Sequence, residues 1–226
     1  MKTSIKNKRL LISPSLMCGN LFKLNEDLQV FEKHKFDYIH LMMDYPDMAI
    51  RSLKLTEKDI ITFHIESRSD PHYTIKQIRD KKGQVGIAIN PDTPIENIYP
   101  FLEKIDHALV TTVHPGFSGQ PFVKTSHERV RILSEYINEK FPKITIGVDG
   151  AIGLEEVMIF NHMGVDHFVL GTTALFKQNL DEQAVAEYQK TKNVLALAST
   201  FRTYEWTKPY QPLDYSFRYM QQILYS

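Results

Sequence analysis

Residues 110–122, VTTVHPGFSGQPF, begin as an apolar run, break into Pro-Gly-Phe-Ser-Gly and lead into a stretch with helical spacing. A strand ending in so bare a loop has two readings. Glycine lets backbone N–H groups come close to an anion, and a helix start beyond adds free N–H groups and the positive end of its dipole. Pro and Gly between a strand and a helix are also ordinary turn chemistry. Either way, strand, loop and helix in that order form the repeating unit of an α/β fold.

The same unit recurs on both sides. Short apolar or β-branched runs stand at 10–17 (LLISPSLM), 36–42 (FDYIHLM), 59–65 (DIITFHI), 84–90 (QVGIAIN), 107–113 (HALVTTV), 143–149 (KITIGVD) and 166–171 (DHFVLG). Between them, Leu21, Leu24, Leu28 and Phe31, or Val130, Leu133 and Ile137, put apolar side chains on one helical face. This alternation predicts a parallel sheet with helices packed outside it. Near-continuous apolar strands and the length of the repeat favour a TIM-type (β/α) barrel, incomplete at about seven strands, over an open doubly wound sheet.

Composition sets the bounds. With 226 residues, 42% hydrophobic and 24% charged, the chain suits one globular core of the α/β class. Its 27 basic and 27 acidic side chains balance, which gives no sign of a nucleic-acid partner. Cys18 is the single cysteine, so neither an intrachain disulfide nor a multi-cysteine metal site is available. No run has the length of a membrane span, and the start, MKTSIKNKRLLISPSLM, has only a brief apolar stretch. The expectation is a cytoplasmic protein without a membrane partner.

In a barrel the chemistry sits at the carboxyl ends of the strands. Those ends carry Ser15, His40, His64 with Glu66, Asn90, His114, Asp149, and Gly171 with Thr172. Taken singly, each is also what any chain shows on leaving its core.

In order and spacing, ISPSLMC (12–18), DYIH (37–40), HLM (40–42) with YPDMAI, ITFHIE (61–66), GIAINPDTP (86–94), TVHPGFSGQPF (112–122), VDGAI (148–152) and LGTTALF (170–176) resemble the ribulose-phosphate 3-epimerase family. The wording of SLMC and GQPF leans toward its allulose-6-phosphate branch. The resemblance implies a ketose-phosphate 3-epimerase, with ribulose 5-phosphate or allulose 6-phosphate as substrate. In such enzymes a divalent metal (zinc, iron or manganese) stabilises an enediolate, while two aspartates exchange the C3 proton on opposite faces. Carried over, Asp149 is catalytic and a metal ligand. Ser15, Met42, Gly116, Phe117, Ser118, Gly119, Gly150, Ala151, Gly171 and Thr172 fall on substrate-binding positions, and so do His40 and Asp149.

The sequence departs from the family at His40. There a His-x-Asp-x-Met-Asp-Gly strand end and a later His-Leu-Met are both expected, but one histidine serves for the two, and Met42 stands where an aspartate belongs. Read this way, one βα unit is missing, with one catalytic aspartate and two of four metal ligands. His40 and Asp149 would remain as a two-ligand site of doubtful occupancy. Asp44 is the best local substitute for the missing aspartate, since it shares strand parity with His40 and Met42, but before Tyr45-Pro46 it equally suits a turn or helix cap.

Parity points His64 and Glu66 inward, as a buried pair bound to backbone or as part of the site; His114 touches sugar or faces solvent. Residues 181–199 can form a closing helix. The expected organisation is a barrel over 1–200 and an aromatic extension over 201–226 that packs on the barrel or on a partner subunit of a homo-oligomer. Three functions compete: an active epimerase, an impaired relative retaining sugar-phosphate binding or a subunit-contact role, and an unrelated phosphate-binding barrel.

Overall fold

The computed structural model describes residues 10–15, 18, 24–36, 46–53, 55–176 and 180–199. Among these, strands and helices run from β1 (Leu11–Pro14) to α6 (Glu182–Ser199), alternating from β2 onward. After β1 come α1 (Leu24–Lys33), α2 (Pro46–Ser52), β2 (Ile60–His64), α3 (Pro71–Asp80) and β3 (Gln84–Ile89). A 3-10 helix (Ile95–Lys104), β4 (His107–Thr111), α4 (Ser126–Lys140), β5 (Thr145–Asp149), α5 (Leu154–His162) and β6 (His167–Leu170) follow. The six strands form one sheet, all pairs parallel, in the order β1-β6-β5-β4-β3-β2. This is the incomplete barrel arrangement. Six of the seven expected strands are present; of the 36–42 run, Phe36 lies in a loop and the rest is outside the described residues.

Strand parity divides the sheet into two faces. Val85, Ile87 and Ile89 on β3, Ala108 and Val110 on β4, Ile146 and Val148 on β5, and Phe168 and Leu170 on β6 join the large core under the helices. Residues of opposite parity, Ala88, Leu109 and Val169, form a separate small apolar cluster. Two cores on opposite faces of one parallel sheet are what a curling sheet with outer helices requires.

The helices are fixed by the spacing that announced them. Val130, Leu133 and Ile137 of α4 are fully buried, as is Ile78 of α3, and Phe31 of α1 is nearly so. Leu21 falls outside the described residues. Helix α3 begins where Asp70 accepts a hydrogen bond from the His72 N–H at 2.9 Å, with Pro71 at the first helical position, where a missing N–H does no harm. At the opposite end of the sheet from the strand termini, Asp106 accepts from the Val85 N–H at 2.7 Å and pairs with Arg79 at 2.7 Å.

Beneath the small apolar cluster lies a polar layer that periodicity did not announce. Ser13 Oγ lies 2.6 Å from His167 Nε2, and His107 Nδ1 lies 2.9 Å from Thr145 Oγ1. The two imidazoles are 5.0 Å apart, and His107 is 1% exposed. Gly147 makes the room, since a β-carbon there would stand 2.7 Å from His107 Cε1.

Candidate active site

A cavity of about 150 Å³ opens at the carboxyl ends of the strands. Its wall includes Ser15, Gly116, Phe117, Ser118, Gly119, Asp149, Gly150, Ala151, Gly171 and Thr172. Every described residue of the expected site is therefore on one cavity; His40, Met42 and Asp44 lie outside the described residues. Cys18, His64, Asn90, Thr111, Val113, His114, Pro115, Gln120 and Thr173 complete the wall. Of these, Cys18, Gln120 and Thr173 stand inside ISPSLMC, TVHPGFSGQPF and LGTTALF, motifs whose expected site positions did not include them.

Backbone geometry shapes the loop side. The Thr112 N–H and its hydroxyl donate to the Asp149 carbonyl at 2.7 and 3.0 Å, which ties the end of β4 to that of β5. Thr112 Oγ1 also donates to the Gly150 carbonyl. The chain then turns left-handed at Gly150 (φ 115°), where a β-carbon would stand 2.6 Å from Val113, and again at Ala151 (φ 51°). A non-glycine residue in that region stores strain of roughly 1–2 kcal/mol, and strain of this kind gathers at ligand-holding turns. The glycine loop contributes from Val113 to Gln120, whereas α4 starts only at Ser126. Backbone donors on this wall thus come from loops, and the helix start anticipated in the sequence stands farther along the chain. Phe117 is 73% exposed.

On the other wall, His64 ends β2 and its Nδ1 lies 3.3 Å from Glu66 Oε2. Glu66 Oε1 accepts from the Asn90 N–H at 2.9 Å. Burial pushes the Glu66 carboxyl up, but hydrogen bonds from His64, Thr93, Asn90 and its own N–H outweigh it and hold the group at about 2. Arg129 of α4 donates to the Asn90 carbonyl at 2.9 Å; burial lowers its pKa, against the pull of Glu96, Glu66 and Asp92. His114 pairs with Asp92 at 3.0 Å on an open rim, with side chains 51% and 78% exposed. Burial pushes the Cys18 thiol up; Ser15 and the Thr172 backbone pull the other way, and the Asp149 charge adds to the rise.

Asp149 offers the cavity one carboxylate donor. Among the described residues no three His, Cys, Asp or Glu side chains gather as a metal set. Those residues do not by themselves fit a catalytic metal, which takes three protein ligands in typical zinc sites.

A parallel α/β sheet with its cavity at the strand ends, walled among the described residues by glycine loops and one carboxylate, has the arrangement of a barrel-type enzyme. The chain belongs to the Ribulose-phosphate 3 epimerase family, which matches residues 14–176. It is 30% identical over 210 residues to a ribulose-phosphate 3-epimerase of Buchnera aphidicola subsp. Baizongia pistaciae, covering 77% of this chain and 92% of that one. It is 33% identical over 152 residues to the cytoplasmic isoform from Oryza sativa subsp. japonica, covering 65% of each. The fold resembles a structure of Mycobacterium tuberculosis tryptophan synthase, with a TM-score of 0.54, 9% identity, and coverage of 85% of this chain and 93% of that one. Among the described residues no helix is long and apolar enough to cross a membrane.

Proposed function

We propose that this protein is a ketose-phosphate 3-epimerase. Gly116–Gly119, Gly150–Ala151 and Gly171–Thr172 hold the substrate's phosphate, and Ser15 contacts its sugar. Asp149 moves the C3 proton. The observation that carries this reading is the gathering of those residues, from separate strand ends, on one cavity in a chain of this family. Ribulose 5-phosphate is the first substrate to test, because the relatives are ribulose-phosphate 3-epimerases; allulose 6-phosphate is the second. A divalent metal held by His40 and Asp149 would stabilise the enediolate when bound. Residues 1–200 form the barrel; residues 201–226 pack on it or on a second copy in a homo-oligomer. A cytoplasmic location is supported by the rice relative.

A second reading, an impaired relative that keeps sugar-phosphate binding, is favoured by one observation. The match to the Buchnera enzyme runs over 210 positions yet takes in only 77% of 226 residues, which supports a gap on the side of this chain. Incubation of ribulose 5-phosphate in deuterium oxide separates the two. An epimerase yields xylulose 5-phosphate with deuterium at C3, whereas an impaired relative binds the sugar and leaves C3 untouched.

A further inference from the structure

Epimerisation by proton transfer needs one group on each face of the carbon, and Asp149 supplies only one of them. Among the described residues the cavity wall holds three other side chains able to carry a proton, Cys18, His64 and His114. Cys18 is Asp149's neighbour, held between Ser15 and Thr172 close enough to feel the aspartate charge, and so stands on the Asp149 side of the cavity. His114 lies on the open rim with exposed Asp92. His64 stands apart: β2 is the far edge of the sheet, three strands from β5, yet the sheet curls until both strand ends wall one cavity.

We propose that His64 is the second proton-transfer residue, opposite Asp149, and that Glu66 positions it. This rests on the epimerase reading above. Glu66 engages Nδ1 at 3.3 Å and leaves Nε2 as the nitrogen it does not hold. Among the described residues no other protein group is hydrogen-bonded to the His64 ring. The carboxylate is in turn fixed by the Asn90 N–H, whose residue is braced through its carbonyl by Arg129. A carboxylate anchored by backbone, an imidazole anchored by the carboxylate, and a ring nitrogen at a cavity that no described residue holds form a base with its orienting group. With Glu66 held at about 2, the orienting charge is in place at any pH at which His64 works.

The step balances. The C3–H bond breaks as the proton passes to the Asp149 carboxylate, and its electron pair enters the enediolate. On the other face the Nε2–H bond of the His64 imidazolium breaks as a new C3–H bond forms. The reverse reaction exchanges the two roles, and solvent restores the starting protonation.

Single variants should split exchange from inversion. His64→Gln should reduce interconversion of ribulose 5-phosphate and xylulose 5-phosphate by about 10²–10⁴-fold. It should keep solvent deuterium exchange at C3 in one epimer only, and Asp149→Asn should keep it only in the other. Glu66→Gln, which weakens the hold on Nδ1, should lower kcat with KM little changed while exchange on the Asp149 face persists; this split decides the matter if His64→Gln does not fold. Equal loss of exchange in both epimers, unchanged interconversion, or a Glu66→Gln variant with unchanged kcat overturns the assignment. Wild-type protein that exchanges without inverting overturns His64 and leaves Asp149 in place. Wild-type protein that does neither overturns the epimerase reading, and His64 with it.

Discussion

The backbone at Gly171 passes so close to Cys18 that a β-carbon there would stand 2.9 Å from Sγ. Its carbonyl meanwhile accepts the Leu175 N–H at 2.9 Å, so the turn cannot back away freely. A branched side chain must push Cys18 aside or enter the cavity. Gly171→Val is expected to weaken binding of a ketose phosphate at least roughly tenfold, the loss of about one good hydrogen bond to a charged group. Titration calorimetry with ribulose 5-phosphate checks it, and unchanged affinity would move the phosphate elsewhere.

Gly147 is a packing glycine. A β-carbon would stand 2.7 Å from both His107 Cε1 and Leu109 Cδ1, side chains with almost no exposure. Gly147→Ala should destabilise by about 1–3 kcal/mol through overpacking, read from the urea midpoint.

Ser13 and His167 test the polar layer from the other side. Their 2.6 Å contact is buried, with Ser13 fully inaccessible. Ser13→Ala removes one partner and leaves the other in place, with an expected loss of about 1–3 kcal/mol. In a domain of this size each kcal/mol lowers Tm by about 2–4 °C, and thermal circular dichroism measures it.

Glu66 should give stability an acid dependence. Its folded pKa, about 2, lies below the usual 4.5, so the folded state favours the carboxylate. That contribution is present above about 4.5 and is lost as pH falls toward 2. The stability difference between wild type and Glu66→Gln should shrink across that window, as followed by urea unfolding at successive pH values.

Deleting residues 201–226 tests the proposed extension, which lies outside the described residues. Its Phe201, Tyr204, Trp206, Tyr210, Tyr215, Phe217 and Tyr219 form a dense aromatic set. Burying one large ring stabilises by roughly 1.5–3 kcal/mol. The truncated protein should melt lower or aggregate, and identical melting with full solubility would deny the extension that role.

The strands were legible because a parallel strand buried on both faces must be apolar along its length, as in QVGIAIN. Helix α4 was legible because its buried side recurs at Val130, Leu133 and Ile137. The glycine loops of the site were legible through their motifs. The Ser13–His167 contact was not, since it joins residues 154 positions apart and depends on β1 lying beside β6. Parity turned His64 and Glu66 inward, but only the structure supplied the Asn90 N–H and Arg129 behind them. The distance from the glycine loop to the start of α4 was also hidden, because no periodicity separates a loop of several residues from a helix beginning at once.

The place of β1 next to β6 has a consequence for how the molecule is made. Leu11–Pro14 leave the ribosome early, yet their hydrogen-bonding partner is His167–Leu170. Strands β3 to β5 can each pair with the described strand made just before, and β2 waits only for β3. Among the described strands the partner of β1 is β6, which follows it by about 154 positions, so that pairing is among the last long-range events of folding. Ser15 arrives at the cavity with it, and the site is complete only once the N-terminal strand has come home.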